Sequence, residues 1–412
     1  MEFLSYIPFF IFSIPMASNL NALLIGSTYH LLWALPRLLN KAGFSVDVIT
    51  SDPLMKYCHF VRNCECVSLQ SLIFVAMQRI KKYDWIVVAE DGLLQEVVRS
   101  SFSLEDKLKI LPVLREENLS HLYSKIGLSQ TLAAHNVKTP LFSTAHNVEE
   151  ALLKAEQLGY PILIKRDSSA GGQGVFECNK ASDFQLVPRD VFDLPVLVQK
   201  KISGRELDVS AIYFKGELVH FNYAIPEKIC GNRFGVSSLR TYYPLSVVEE
   251  SLFIELAQIG KALGAHGFTN IACIQQVDGQ RFYFEADMRP NAWVDTPYFL
   301  KENISLRIQE WFSQKKTLSY PVPILSHQPL QMRIPYFLRL SRWELLVNRY
   351  GVWKFIPWEN GRFVVLLILH KMFVIGVKDR IVPFIKWFVP QKYHPWLRSL
   401  KRGCVERFQK FW

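Results

Sequence analysis

The chain has 412 residues, half of them hydrophobic and 21% charged, and a formal net charge of +11. This composition excludes an intrinsically disordered protein, and the length is sufficient for two or three packed units. The seven cysteines lack the even, dense spacing of a disulfide scaffold, so a reducing, cytoplasmic location is expected.

The N-terminal residues 1–17 are apolar, but they lack the features of a signal peptide. Glu2 stands where such a peptide carries positive charge, and the segment is too short to span a bilayer. A natural start at Met16 and an interfacial anchor stay open as alternatives. We therefore treat residues 1–17 as an apolar extension that precedes the folded units.

Residues 18–112 alternate strand-like and helix-like segments. The strand-like runs are NALLIGS, FSVDVIT and YDWIVVAEDG, and helical stretches separate them. This rhythm predicts a parallel sheet with crossover helices, which is a Rossmann-like domain. Because the turn at Gly26 lacks the full GxGxxG pattern, a nicotinamide dinucleotide is not expected, although an oxidoreductase built on this domain is a third alternative.

From residue 113 the pattern is first helical and then changes to short strands. The run NVEEALLKAEQLGYP has a helix start at Asn147 and a stop at Gly159. Short β runs follow to about residue 290, with hairpin turns at 215–216 and 278–279, and one helix over roughly 247–263 interrupts them. This order predicts a second unit of the α+β type.

The first group of residues with a chemical signature is YPILIKRDSSAGGQGVFEC. It places Lys165 on a strand directly before a loop that contains Ser169, Gly171, Gly172 and Gly174. Backbone amides of such a loop can surround phosphate oxygens while the lysine supplies a fixed positive charge. The loop is not a P-loop, because no GK[ST] opens a helix, and a flexible glycine-rich hairpin is the structural alternative.

The second group lies in VLVQKKISGREL, where a strand runs into a bend and a further strand. A nucleotide base needs an apolar slot with hydrogen bonds at its edge, and a ribose needs an acceptor for its hydroxyls. Gln199, Lys200 and Ile202 would line the base, and Glu206 would accept from the ribose. An ordinary strand pair with a surface charge is the alternative.

The third group lies in RFYFEADMRPN. Glu285, Asp287 and Arg289 alternate along a strand and therefore share one face. Two carboxylates and a guanidinium on one face suit magnesium that bridges phosphates, with the cation of the arginine beside the transferred phosphoryl group. A solvated polar face is the alternative.

Together these segments resemble the ATP-grasp superfamily over roughly residues 20–300. The resemblance implies an α/β and α+β chain, with a Rossmann-like pre-ATP-grasp domain and a two-lobed ATP-grasp domain, and the composition adds a basic aromatic C-terminal extension. The implied boundaries are 18–112 for the first domain, 113–198 for the small lobe or lid, 199–325 for the large lobe and 326–412 for the extension.

The resemblance also implies roles for individual residues. Lys125, in LYSKIGLSQTLAAHNVKTP, is similar to the phosphate-binding lysine ahead of the small lobe, and Lys165 to the strand lysine. The lid is matched by 168–174, the adenine-binding hinge by 199–202 and the ribose-binding acid by Glu206. The ExNxR motif is matched by Glu285 and Asp287, which would hold Mg²⁺ or Mn²⁺, and by Arg289, which with Lys165 would act in catalysis.

Two departures from the family pattern matter. Asp287 stands where asparagine is usual, and it still offers oxygen to a hard cation. The other metal ligand is expected about 12 residues before Glu285, at Ala272 or Cys273, and neither is a normal magnesium ligand. If the hairpin is shifted, the inward side chain would be Asn270, Gln275 or Gln276. An ATP-binding pseudoenzyme or membrane-associated nucleotide-binding module is therefore the alternative to an enzyme.

The activity implied by the resemblance is ATP-dependent ligation. A substrate carboxylate attacks the γ-phosphate of ATP, and an amine or similar nucleophile captures the acylphosphate. Positioning and charge neutralisation carry such catalysis. The substrate pocket is expected between the first domain and the grasp cleft, where each candidate could equally be a loop charge. These candidates are Glu90, Asp91, Arg233 and Arg240.

The C-terminal residues 331–412 have sixteen Lys and Arg against four Asp and Glu, interleaved with aromatic residues. The run FVVLLILHKMFVIGV is short and polar for a transmembrane helix. Two alternatives stay open: a peripheral contact with the inner face of the membrane, or packing on the ATP-grasp core or on a homodimer partner. Nucleic-acid binding is not expected, because no recognised module accompanies the charge.

Overall fold

A computed structural model of the chain describes residues 20–169, 171–231, 233–322 and 331–369. The extension 1–17 and the part of the C-terminal extension from 370 to 412 lie outside the described residues, so the expectations about them stay predictions. The described chain contains one parallel four-stranded sheet, one antiparallel four-stranded sheet and one antiparallel six-stranded sheet.

The first sheet has the strand order β3-β2-β1-β4, and all its pairings are parallel. Its central strand is buried almost throughout, which explains its uninterrupted apolar sequence. This α/β unit confirms the predicted Rossmann-like architecture. The strands are β1 (Asn21–Gly26), β2 (Ser45–Thr50), β3 (Asn63–Cys66) and β4 (Trp85–Val88), and the helices are α1 (Tyr29–Leu32), α2 (Leu35–Lys41), α3 (Leu72–Met77), α4 (Asp91–Arg99) and α5 (Leu104–Ile110).

The second sheet is antiparallel in the order β5-β8-β6-β7. The helix that covers it starts where the sequence predicts, because Asn147 Oδ1 accepts from the Glu150 amide at 2.8 Å. Gly159, with φ of 72°, ends that helix. The elements are α6 (Lys125–Ala134), β5 (Phe142–Ala145), α7 (Val148–Leu158), β6 (Ile162–Arg166), β7 (Val175–Cys178) and β8 (Val196–Lys200).

The six-stranded sheet has the order β13-β12-β9-β10-β11-β14, in which β14 is the strand Met332–Pro335. Along β9 the side chains alternate, so Leu207 and Val209 pack in a core with α8, whereas Glu206 and Asp208 face the other way. The elements are β9 (Arg205–Phe214), β10 (Glu217–Cys230), β11 (Val236–Tyr242), α8 (Glu250–Ala262), β12 (Gly267–Gln275), β13 (Arg281–Asp287), α9 (Thr296–Phe299) and α10 (Ile304–Gln314).

Residues 331–369 pack on the core. Strand β14 (Met332–Pro335) pairs with β11, and α11 (Arg342–Leu346) and α12 (Gly361–Leu369) follow it. Phe337 and Phe363 are buried in the same cluster as Trp33 of the first unit. This part of the C-terminal extension therefore adopts the core-packing alternative. In the described part of the chain, no helix is long and apolar enough to cross a membrane.

Candidate functional site

A cleft of about 670 Å³ lies between the two antiparallel sheets and reaches the first unit. Most of the side chains singled out in the sequence line it, although they come from all three sheets and their connections. These residues are Asp91, Lys125, Lys165, Ser169, Gly171, Gly172, Gln199, Lys200, Ile202, Glu206, Arg233, Arg240, Glu285, Asp287 and Arg289.

Glu90 and Gly174 lie outside the cleft lining. The Glu90 carboxylate accepts hydrogen bonds from the amides of Ser27 and Thr28, at 2.7 and 3.0 Å, so it fixes the turn after β1. A Cβ at Gly174 would lie 2.5 Å from the Ser169 hydroxyl, which shows that this glycine allows the lid loop to fold tightly on itself. The local geometry gives both residues a structural role.

Lys165 is the most deeply buried cation of the cleft, with 4% of its surface exposed. It lies on β6, which is flanked by β7 and β8, and its Nζ is 4.8 Å from the centre of the Phe284 ring. Burial lowers the pKa of the Lys165 amine to about 8, while the Glu285 carboxylate opposes this shift. A cation held in this way can supply a concentrated positive charge to a phosphate.

Lys125 connects the start of α6 with the glycine-rich loop. Its Nζ donates to the carbonyl of Ser169 at 2.8 Å and to the hydroxyl of the same residue at 3.2 Å. Asp167 strengthens this junction, because its Oδ1 accepts from the Ser124 hydroxyl and from the Ile126 amide. The sequence reasoning missed Asp167, although its position between the strand and the loop is a signal for such an anchor.

The lid loop adopts a conformation that suits glycine. Gly171 and Gly172 have φ angles of 60° and 73°. A Cβ at Gly172 would lie 2.1 Å from the carbonyl oxygen of Phe234, which belongs to the loop between β10 and β11. The lid therefore closes directly on the large lobe at this glycine.

The bend after β8 forms the inner wall of the cleft. Gln199 is 1% exposed, and its Nε2 has no hydrogen-bond partner among the described residues. Lys200 donates to the carbonyls of Gly159 and Tyr160 at 2.7 and 2.9 Å, so it stiffens the bend. Burial raises the pKa of the nearby Glu206, whose side chain faces the cleft from the first part of β9.

The pairing of β12 with β13 decides which residue lies beside Glu285. Ala272 is the partner of Glu285, and Asn270 is the partner of Asp287. A register shift separates Ala272 from Cys273, and Cys273 is fully buried outside the cleft lining. The expected metal-ligand position therefore holds the methyl group of alanine.

Polar side chains that the sequence did not point to line the cleft beside Glu285. Asp208 is the partner of Ala272 on the other side, on β9. Asn291 Nδ2 donates to Asn270 Oδ1 at 2.6 Å and to Ser210 Oγ at 2.7 Å. Asn270 thus lines the cleft with its oxygen already engaged, whereas Gln275 and Gln276 lie outside the lining. The carboxylate of Asp208 could not be placed from sequence, because it is brought in by the β9–β12 pairing.

Strand β13, here called the acidic strand, carries a local excess of negative charge at Glu285 and Asp287. Burial, followed by the charge of Asp287, raises the pKa of the Glu285 carboxyl to about 7. Within the described chain, no group of three or more His, Cys, Asp or Glu side chains is arranged to hold a metal. The two carboxylates can nevertheless hold a cation if a ligand supplies further oxygens, as phosphates do for magnesium.

Arg289 joins the acidic strand to the first unit. Its Nε donates to Asp91 Oδ2 at 2.6 Å, and its Nη2 donates to Asp287 Oδ2 at 2.9 Å. Two further arginines also form ion pairs, Arg240 with Asp208 and Arg233 with Glu177 of β7. Three of the four predicted substrate residues are therefore brought to the cleft, and each is engaged by an opposite charge.

Comparison with known proteins agrees with this geometry. The model of the family described as "Carbamoyl-phosphate synthase L chain, ATP binding domain" matches residues 125–193, the segment from Lys125 through Lys165 and the lid. Among solved structures, the chain is similar to an L-amino acid ligase from Bacillus licheniformis, with 17% identity, a TM-score of 0.52, and coverage of 72% of this chain and 75% of that one. The chain has the ATP-grasp fold.

Two other ATP-grasp structures extend the likeness. The biotin carboxylase domain of the Hydrogenobacter thermophilus 2-oxoglutarate carboxylase, crystallised with MgADP, ADP and bicarbonate, has 14% identity and a TM-score of 0.56, with coverage of 73% of this chain and 70% of that one. The Staphylococcus aureus N5-carboxyaminoimidazole synthetase, complexed with ADP, has 15% identity and a TM-score of 0.54, with coverage of 71% and 77%. Each likeness covers more than two thirds of this chain and therefore extends well beyond the residues 125–193 that the family model matches.

Proposed function

We propose that this ATP-grasp protein is an ATP-dependent ligase that activates a carboxylate as an acylphosphate for capture by an amine or similar nucleophile. One observation carries the proposal: Lys125, Lys165 and the glycine-rich lid face Glu285 and Asp287 across a single cleft. Phosphoryl transfer needs cations around the phosphates and carboxylates for a divalent metal, and this cleft contains both.

The nucleotide would lie with its base against the bend after β8. The Nε2 atom of Gln199, which has no hydrogen-bond partner in the described chain, would donate to a base nitrogen, and Ile202 would contact the face of the base. Glu206 would accept from the ribose hydroxyls. The phosphates would then lie under the lid, between Lys125 and Lys165.

Mg²⁺, or Mn²⁺ with the same preference for oxygen ligands, would be held by Glu285 and Asp287. The raised pKa of the Glu285 carboxyl supports this position. Burial and the charge of Asp287 disfavour the Glu285 anion, and a bound cation would offset both effects. Since Ala272 lies beside Glu285, the protein supplies two carboxylates there, and the triphosphate must supply other ligands. When bound, the metal would shield the phosphate charges.

The chain's own residues would position and neutralise the reacting groups. A substrate carboxylate oxygen attacks the γ-phosphorus and ADP leaves; an amine then attacks the acyl carbon and phosphate leaves. Lys165 and Arg289 would balance the charge of the transferred phosphoryl group. Asp91 would hold Arg289 in place through the 2.6 Å hydrogen bond and would thereby couple the first unit to the reaction.

The proposal is tested by a screen for ADP release across carboxylic acids, with and without amines. Lys165→Met should reduce the rate by about a hundredfold or more, because a preorganised charge is lost. Lys138→Met is the matched control, since Lys138 is exposed and lies outside the cleft. Unchanged turnover in Lys165→Met would refute the proposal, and ATP binding without ADP release for every acid and amine would indicate a pseudoenzyme.

We also propose that the protein acts in the cytoplasm, at the inner face of a membrane, and that residues 331–412 contact the membrane through side chains that the packing of residues 331–369 on the core leaves exposed. The described part of this segment supports the proposal, since Trp343, Leu346 and Trp358 are 69%, 62% and 49% exposed. Exposed tryptophans near basic residues favour the interface of an anionic bilayer. A homodimer stays a proposal that rests on the sequence of the same segment.

A further inference from the structure

Four arginines line the cleft of the described chain, and one of them differs from the other three in its partners. Arg233, Arg240 and Arg289 each form an ion pair with a carboxylate. Arg339 forms no ion pair with any described carboxylate, and its side chain makes one hydrogen bond to the described residues, from Nη1 to the Ser237 carbonyl at 2.9 Å. Its remaining N–H groups can therefore serve a ligand.

The surroundings of Arg339 disfavour a cation without a counter-ion. Its side chain is half-buried, and burial lowers the pKa of the guanidinium, as do the nearby charges of Arg240 and Arg289. A guanidinium nevertheless stays protonated in proteins. The carboxylate of Asp208 also interacts electrostatically with Arg339, but it is already paired with Arg240. A half-buried charge repelled by two other arginines would therefore be stabilised further by an anion in the cleft.

The fold holds Arg339 firmly in this position. It ends a single helical turn, Phe337–Arg339, which follows β14. The Tyr336 amide donates to the Ser238 carbonyl at 2.9 Å, and this bond continues the contact of the segment with β11. The Arg339 guanidinium lies near the Tyr336 ring, with the Cζ atom 5.5 Å from the ring centre. The residue is thus part of the packed core and is not on a loose tail.

Arg339 contacts strand β11 of the six-stranded sheet, which is distant from the acidic strand β13 in that sheet. Ser237 lies on β11, and Glu285 lies on β13, four places away in the strand order. With about 4.8 Å between neighbouring strands, the two backbones are roughly 19 Å apart. A triphosphate held at Lys165, with its metal ion at Glu285, would leave Arg339 for another anion.

We infer that Arg339 binds a second anionic group of the substrate, a carboxylate or a phosphate, while the reacting carboxylate lies beside Arg289. The inference rests on the proposed function and narrows its substrate to acids with two anionic groups. The planar fork of arginine matches both a carboxylate and a phosphate, whereas Arg240 already forms an ion pair with Asp208 through Nη2. The C-terminal segment thereby contributes directly to substrate selection.

The first test measures binding of inorganic phosphate to the full chain, saturated with Mg²⁺ and a non-hydrolysable ATP analogue that fills the nucleotide site. Arg339→Gln should weaken phosphate binding at least tenfold, and Arg339→Lys should show an intermediate loss, because the charge stays and the fork is lost. Arg333→Gln is the matched control, since Arg333 lies on β14, is exposed and lies outside the cleft. Absent binding in the wild type, or equal affinity in all variants, would overturn the inference.

The second test compares ADP release for matched acids: butanoate with butanedioate, and serine with O-phosphoserine. Within a pair, the wild type should prefer the acid with two anionic groups. Arg339→Gln should raise the KM for that acid at least tenfold while the KM for ATP stays unchanged. The pair that responds identifies the second anion as a carboxylate or a phosphate. Equal use of both members, or a change in the KM for ATP alone, would refute the inference. Failure of the proposed function is distinguishable: every acid is then inactive, while phosphate binding still depends on Arg339.

Discussion

Replacing Gly172 by alanine should weaken nucleotide binding by keeping the lid from closing. The new Cβ would lie 2.1 Å from the Phe234 carbonyl oxygen, and ordinary contact begins at 3.4 Å, so the two loops must separate by roughly 1.3 Å. The positive φ costs an alanine about 1 kcal/mol, and overpacking of this size costs about 1–3 kcal/mol more. Gly171→Ala is a matched control, because Gly171 also has a positive φ, but nothing lies within 4 Å of its Cβ.

The difference between these two variants isolates the contact between the lid and Phe234. The Kd for the magnesium complex of a non-hydrolysable ATP analogue should be roughly fivefold to a hundredfold higher in Gly172→Ala than in Gly171→Ala. Equilibrium dialysis measures this ratio, and thermal unfolding checks that both variants fold. Equal Kd values for the two alanine variants would refute the view that the lid closes on the large lobe at Gly172.

Three further predictions concern pH, the metal and the C-terminal segment. Burial lowers the pKa of His121 from 6.5 to about 4, so its stabilisation is complete above pH 6.5 and the free energy of unfolding falls by about 1.4 kcal/mol per pH unit between pH 6.5 and 4. Urea denaturation at pH 7 and 5 should show this pH dependence reduced in His121→Gln but not in His146→Gln, since His146 is exposed. The same pH dependence in both variants would contradict this prediction. Ala272→Glu should lower the Mg²⁺ concentration for half-maximal ADP release, because a carboxylate then lies beside Glu285; the same Mg²⁺ dependence as in Ala272→Leu would count against that site. Trp343→Ser should reduce flotation with anionic liposomes and change the free energy of unfolding by less than about 0.5 kcal/mol, and undiminished flotation would remove the described segment from the proposed membrane contact.

The parts of the site that could be predicted from sequence are those carried by continuous segments. Lys165 and the glycine loop follow each other along the chain, as do Glu285, Asp287 and Arg289, so their geometry follows from strand periodicity and loop composition. The cap at Asn147 and the stop at Gly159 were predictable for the same reason. Local signals of this kind do not depend on how distant strands pair.

The parts that could not be predicted depend on long-range pairing. Asp208 comes beside Ala272 because β9 pairs with β12, and the register shift after Ala272 decides that alanine, not Cys273, is opposite Glu285. Arg339 reaches the cleft because β14 pairs with β11, almost a hundred residues earlier in the chain. A one-residue change of register would move each side chain to the other face, and sequence spacing does not fix that choice.

The proposed chemistry is tested most directly by the fate of a carboxylate oxygen. If the carboxylate attacks the γ-phosphorus, one of its oxygens stays on phosphorus when the amine displaces phosphate from the acylphosphate. With an acid labelled with ¹⁸O in its carboxyl group, mass spectrometry of the released phosphate should show one ¹⁸O per turnover in the wild type and in Lys138→Met. Release of ADP with unlabelled phosphate would mean that water attacks ATP, and it would contradict carboxylate activation in this cleft.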